Sequence, residues 1–157
     1  MTKKFSVKFL VLCLLTVLAT GFIWSNSLMD GEGSGALSKK VTELLCDIIG
    51  EVPQEDFEQT HHFVRKAAHF SEFALLGVLY TLIKIKLDGK SVSSLLFFPI
   101  SCTLFTAVTD EFIQSFTGRG SSVRDVMLDF AGALTGILLT VILTVIMKKC
   151  NRKSRKM

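Results

Sequence analysis

The chain has 157 residues, of which 49% are hydrophobic and 20% charged, and its mean hydropathy is +0.47. Two prolines and 11 glycines exclude a disordered or collagen-like chain. The net charge of +4 does not indicate nucleic-acid binding, because the basic residues flank apolar blocks and no basic surface with interleaved aromatic residues appears. The composition therefore predicts a small membrane protein with a single domain over residues 1–157.

Four stretches are long and apolar enough to cross a bilayer, which requires ~20 mostly apolar residues. We predict spans at about 9–24, 67–85, 94–116 and 126–147, and the fold class is an all-α integral membrane bundle of four transmembrane helices. A cleaved signal peptide is the alternative for the first stretch, since basic residues precede a short apolar core. Ala19-Thr20-Gly21 is a poor cleavage site, however, and the apolar run continues to Trp24, which favours a retained span.

The distribution of basic residues predicts how these spans are oriented. Four spans place both termini on one side of the membrane. With the termini inside, the inner segments hold 12 of the 18 Lys and Arg residues, including the tail at 148–157, and the outer segments hold the other 6. The positive-inside rule therefore predicts a plasma-membrane protein with both termini in the cytoplasm.

The outer segment 26–66 is too long for a simple connection between spans. Its glycine-rich part at 30–35 is typical of a turn, and apolar residues between 41 and 52 then recur at helical spacing opposite a charged face. We predict an amphipathic helix over 38–50 that lies along the membrane surface. Pro53 suits the first position of a second short helix that runs toward the next span.

Ionisable side chains inside the predicted spans indicate a functional site, because each costs ~2.5–3.5 kcal/mol at membrane depth. Helical periodicity places the polar residues of the second span on one face, and those of the fourth span also share a face. All fall in the outer third of the membrane, and they are Arg65, His69, Glu72, Asp110, Glu111, Gln114, Asp125 and Asp129. We expect one cavity open to the outer leaflet, formed by His69, Glu72, Glu111, Arg119 and Asp125. Pairing of these groups that merely locks the bundle is the alternative.

The outer loop at 117–122 joins the third and fourth spans and resembles a phosphate cradle. Glycines permit tight turns, Arg119 and Arg124 supply positive charge, and the start of the fourth span offers free N–H groups. An ordinary turn is the alternative interpretation. Ser122 and Asp125 also match the Ser-x-x-Asp pattern that caps a helix start.

The ordered set of polar residues resembles the VanZ-like membrane proteins. The matching motifs are Arg65-x-x-x-His69-Phe-x-Glu72-Phe73, then Asp110-Glu111-x-x-Gln114-x-Phe116, then Arg119, Ser122, Asp125, Asp129 and Gly132. Two positions depart from the family pattern: Thr117-Gly118 stand where a proline is common before the arginine, and Asp129 stands where asparagine is common. The founding member is associated with teicoplanin resistance, and the resemblance implies action on lipid head groups or lipid-linked cell-wall precursors.

These observations favour a site that binds or chemically processes a phosphate-bearing head group in the outer leaflet. We expect His69 to be the acid/base or nucleophile, since an imidazole changes protonation state near neutral pH, with Glu72 or Glu111 orienting it. The residues expected to hold substrate are Arg65, Gln114, Arg119, Ser122, Arg124, Asp125 and Asp129. No organic cofactor is expected, and a divalent cation on Asp110, Glu111 and Asp129 is left open.

Two other functions remain open on the sequence alone. One is a non-catalytic membrane protein whose outer helices bind a partner or alter antibiotic access. The other is a proton-coupled transporter, which the missing inverted repeat and the confinement of polar groups to one leaflet disfavour. The sequence leaves the lipid, the reaction and the oligomeric state undetermined.

Overall fold

The computed structural model describes residues 6–29, 39–44, 46–48, 54–88, 92–117 and 120–154. The helices are α1 (Val7–Leu28), α2 (the helical residues 39–44 and 46–48), α3 (Gln54–Asp88), α4 (Val92–Phe116) and α5 (Val123–Ser154). Within these ranges no strand occurs, which confirms the predicted all-α class.

Three of these helices are long and apolar enough to cross a membrane. They cover Val7–Leu28, Leu96–Phe116 and Val123–Asn151, and they correspond to the first, third and fourth predicted spans. The helix α3, which contains the predicted second span, is not among them. The structure therefore supports a membrane protein with three apolar helices, and a fourth crossing by α3 remains a proposal.

The helix boundaries differ from the predicted ones at α3 and α5. The predicted short helix after Pro53 and the second span form one continuous helix, because no proline between residues 54 and 88 interrupts the backbone hydrogen bonds. At 35 residues α3 is about 52 Å long, well beyond a ~30 Å hydrocarbon core. The helix α5 extends past the fourth predicted span into the basic tail, as far as Ser154.

The described part of the predicted surface helix is helical, at 39–44 and 46–48. Its large apolar side chains Val41, Leu44 and Ile48 are exposed, as expected for a helix that presents an apolar face to lipid. Thr42, which the sequence did not single out, is buried. The predicted turn at 30–35 and Pro53 lie outside the described residues.

Polar residues occupy much of the interior, whereas large apolar side chains cover the outside. Phe97, Phe105 and Phe116 are each more than 60% exposed, while Asp110 and Asp129 are almost completely buried. Soluble proteins show the opposite arrangement for charged residues. A small apolar core lies below these polar groups and is formed by Ile23, Phe73, Leu76, Ala107 and Ala133. This distribution fits a bundle whose outer surface contacts lipid.

Glycines allow α3 and α5 to form the most extensive helix pair of the bundle. A Cβ atom at Gly77, Gly132 or Gly136 would collide with a backbone carbonyl of the opposite helix. The residues that carry those carbonyls are Ala133, Phe70 and Ala74, respectively. The spacing Gly132-x-x-x-Gly136 therefore serves close helix packing, as the sequence indicated. Because Phe70 follows His69 directly, this contact also determines how closely His69 approaches α5.

Candidate functional site

A small polar cavity lies between α3, α4 and α5. Its volume is about 10 Å³, room for about one water molecule. It is lined by Arg65, Lys66, His69, Glu111, Gln114, Asp125, Leu128 and Asp129, and we call these side chains the polar site. The structure thus brings together polar residues from the three helices that the sequence placed at one depth. Their action on a substrate stays a prediction.

Two carboxylates of α5 face basic or titratable groups of α3 across the polar site. Lys66 forms an ion pair with Asp125, and both side chains are about a quarter exposed. One turn deeper, Nδ1 of His69 lies 3.8 Å from Oδ1 of Asp129, a side chain that is only 2% exposed. The outer pair is partly solvated and contributes at most about 1 kcal/mol. The inner pair is shielded from solvent, and it is an ion pair only when the imidazole is protonated.

Asp110 joins α4 to the end of α1 through buried hydrogen bonds. The hydroxyl of Ser27 donates to Oδ1 of Asp110 at 2.6 Å, and Nε2 of Gln114 donates to Oδ2 at 2.8 Å. The Gln114 amide also reaches the Ser27 hydroxyl at 3.3 Å, and Thr117 donates to the Ser27 carbonyl at 3.2 Å. Sequence reasoning missed Ser27, because the first span was predicted to end at Trp24 and serine is common at helix ends.

Glu111 caps the N-terminus of α5. The backbone N–H of Ser122 donates to Oε2 of Glu111 at 2.8 Å, and the Ser122 hydroxyl accepts from the backbone N–H of Arg124 at 3.2 Å. An anion at this position is favoured by the helix dipole. The expected phosphate cradle required free N–H groups at the start of α5. In the structure, the carboxylate of Glu111 accepts from the N–H of Ser122 instead. Arg124 is exposed and does not line the cavity, and Arg119 and Gly118 lie outside the described residues.

Glu72 does not line the polar site, although the sequence placed it there with His69. It borders a separate groove of about 490 Å³ between α1 and α3, whose other lining residues are all apolar: Leu15, Leu18, Ala19, Phe22, Ile23, Leu75 and Leu79. A step of three residues turns the side chain by about 60° around the helix and moves it about 4.5 Å along the axis. At that depth α1 packs beside α3, so Glu72 faces α1.

Three buried groups of the bundle form a candidate cation site. His69, Asp110 and Asp129 each offer one ligand atom, and these atoms lie within 4.8 Å of one another. The sequence had grouped Asp110 and Asp129 with Glu111, but Glu111 is engaged with Ser122, and His69 takes its place. Oδ2 of Asp129 is buried and has no hydrogen-bond partner among the described residues.

Comparison with known proteins places these residues within one family. The sequence profile of the VanZ/LLP1 family matches residues 9–144, a range that includes most of α1, all of α2, α3 and α4, and most of α5. Every residue of the polar site and Ser27 fall inside this range. No curated protein and no solved structure matches the chain. The resemblance seen in the polar motifs is confirmed and extends over the first apolar helix, so the chain belongs to the VanZ/LLP1 family of membrane proteins.

Proposed function

We propose that the polar site binds the phosphate-bearing head group of a lipid, or of a lipid-linked cell-wall precursor, at the outer leaflet. In this proposal the protein acts in the cell envelope, and altered head groups or precursors underlie glycopeptide (teicoplanin) resistance. The single observation that carries the proposal is the position of Arg65, a cation at the cavity without an acidic partner within the described residues.

Arg65 lines the cavity and is only partly exposed. It makes no ion pair with any carboxylate in the described part of the chain, whereas the neighbouring Lys66 is paired with Asp125. Arg65 is partly withdrawn from water, and a guanidinium in that position is stabilised by an anion in direct contact with it. Its planar array of donors matches a phosphate in a bidentate geometry. Arg65 therefore supports an external phosphate as the missing partner.

The size of the cavity determines where such a head group would lie. A volume of about 10 Å³ is too small for a phosphate, so the head group would bind at the mouth, where Lys66 and Asp125 are partly exposed. The apolar groove between α1 and α3 borders the same helix and could accommodate an acyl chain by its size and lining. His69 lies inside the cavity and is the group best placed to transfer a proton during head-group processing.

We further propose that α3 crosses the membrane as the fourth span, with both termini in the cytoplasm. The first half of α3, the end of α4 and the start of α5 meet at the polar site, so this end of the bundle is the outer end in our orientation. The excess of basic residues in the opposite segments supports that assignment.

Cysteine labelling tests this orientation. In intact cells, a membrane-impermeant maleimide should modify a cysteine introduced by Gly120→Cys, because this exposed position lies between α4 and α5 at the outer end. The exposed native Cys150 near the end of α5 should react only after the membrane is permeabilised. If Cys150 of the unaltered protein is modified in intact cells, the four-span topology is wrong.

Replacement of Arg65 tests head-group binding. We expect Arg65→Gln to weaken the binding of phosphatidylglycerol to the purified protein about 10–100-fold, because charge-assisted hydrogen bonds contribute ~1.5–3 kcal/mol. Native mass spectrometry in detergent can measure this binding, with an uncharged galactosyl diacylglycerol as the reference lipid. Lys39→Gln removes an exposed cation of α2 and should leave binding unchanged. Equal binding of both lipids to the wild type would contradict the proposal.

A non-catalytic structural role is the second candidate, and two observations favour it. The Lys66–Asp125 pair links α3 to α5, and the buried hydrogen bonds of Ser27, Asp110 and Gln114 link α1 to α4. Such contacts can stabilise a bundle without any substrate. In that case, substitution of polar-site residues should lower the amount of folded protein in the membrane and leave lipid selectivity unchanged.

A further inference from the structure

The described acidic residues around the polar site outnumber the basic ones. Glu111, Asp125 and Asp129 line the cavity, and Asp110 lies buried beside them, whereas Arg65 and Lys66 are the described basic residues of the lining. With all four carboxyl groups ionised and the imidazole neutral, these described residues carry four negative charges against two positive ones. Uncompensated charge is strongly unfavourable inside a membrane bundle. One divalent cation would balance this excess.

We propose that His69, Asp110 and Asp129 bind a divalent transition-metal cation of the Zn²⁺ type. Ligand atoms bound to one tetrahedral ion at about 2.0–2.2 Å lie ~3.3–3.6 Å apart. The three candidate atoms all lie within 4.8 Å of one another, and Nδ1 of His69 is already 3.8 Å from Oδ1 of Asp129. Shifts of less than about 1 Å for each ligand atom would therefore bring all three into coordination.

The surroundings of the two carboxylates favour coordination. Asp129 is 1% exposed, and its Oδ2 atom has no hydrogen-bond partner in the described part of the chain. A buried carboxylate oxygen without a donor is costly unless a proton or a cation neutralises the group, and a cation beside it favours the ionised form. Asp110 is held in place by the donors Ser27 and Gln114. Donors of this kind orient carboxylate ligands in metal sites.

The ligand types indicate which cation fits. One imidazole nitrogen with two carboxylates is more typical of Zn²⁺ or a similar transition metal than of Mg²⁺ or Ca²⁺, which prefer oxygen ligands alone. Three protein ligands also leave a coordination position open. A water molecule, for which the cavity has room, would occupy that position, and cation binding does not depend on the proposed function.

Metal binding to the full-length protein tests this inference without lipid substrate. The protein is purified in detergent, stripped with a chelator and equilibrated with Zn²⁺, and its metal content is measured by mass spectrometry. We expect one Zn²⁺ per chain. His69→Ala and Asp129→Asn should each lower the Zn²⁺ affinity at least ~100-fold. Loss of a residue that only hydrogen-bonds to a metal ligand already lowers metal affinity 10–100-fold. Glu58→Gln, which changes an exposed carboxylate of α3, is the matched control and should bind normally.

Cobalt spectroscopy of the wild type tests the cation site even if the variants do not fold. Co²⁺ should give visible d–d bands of nitrogen and oxygen ligands, without the charge-transfer band of a thiolate. A wild type that binds no Zn²⁺, a thiolate band, or folded variants with wild-type affinity would each overturn the cation site. A wild type that binds Zn²⁺ but shows no preference for phosphatidylglycerol would retain the cation site and defeat the proposed function.

Discussion

Replacing Gly136 by isoleucine should separate α3 from α5 and remove most of the folded protein from the membrane. A Cβ atom at this position would collide with the backbone carbonyl of Ala74, and a backbone carbonyl cannot move aside as a flexible side chain can. Overpacking of a core typically costs 1–3 kcal/mol. We expect at least ~3 kcal/mol here, because the two helix axes must move apart and the packing on which this pair depends is lost.

The matched control for this substitution is Gly21→Ile on α1. A Cβ atom at Gly21 meets nothing within 4 Å, so this variant adds the same side chain where space is open. The amount of protein in the membrane fraction and its monodispersity after detergent extraction measure the effect. Normal amounts of well-behaved Gly136→Ile protein would show that α3 and α5 do not pack as described. A loss for Gly21→Ile as well would mean that isoleucine is harmful irrespective of helix packing.

Removing the imidazole of His69 should abolish function while the protein remains inserted in normal amounts. The close packing of α3 on α5 depends on Gly132 and Gly136, not on this side chain. A positioned acid or base accelerates a reaction typically 10²–10⁴-fold, and a cation site would lose one of three ligands. We therefore expect cells that express His69→Ala to match cells without the protein in their lipid head groups and in their teicoplanin susceptibility.

Lipid mass spectrometry and immunoblotting of the same membranes separate activity from abundance. The control is His62→Ala, which removes an exposed imidazole from the same helix and should leave both readouts unchanged. Disappearance of the His69→Ala protein from the membrane would assign the polar site a structural role. Normal abundance with a full phenotype would defeat the site hypothesis.

The sequence alone was sufficient for the class of protein and for six of the eight residues that line the polar site, whereas Lys66 and Leu128 were not predicted and Glu72 was placed there wrongly. Long apolar blocks identify membrane helices because the thickness of the bilayer sets their length. Helical periodicity correctly placed His69 and Asp129 toward the interior, since a charged group facing lipid is strongly disfavoured. The glycine pattern of α5 likewise indicated close packing before any partner helix was known. In each case the relevant information is local, because it depends on only a few turns of one helix.

Contacts between distant parts of the chain were decided by the tertiary structure. Helical periodicity assigns Glu72 to a face but not to a neighbour, and the position of α1 places it in an apolar groove away from the cavity. Ser27 became part of the site because the end of α1 lies beside Asp110, 83 residues along the chain. Glu111 caps α5 because the turn between α4 and α5 brings Ser122 within 2.8 Å of its carboxylate. A helix's own sequence determines which side chains share a face, whereas the translation and rotation of each helix against its neighbours determine which groups meet.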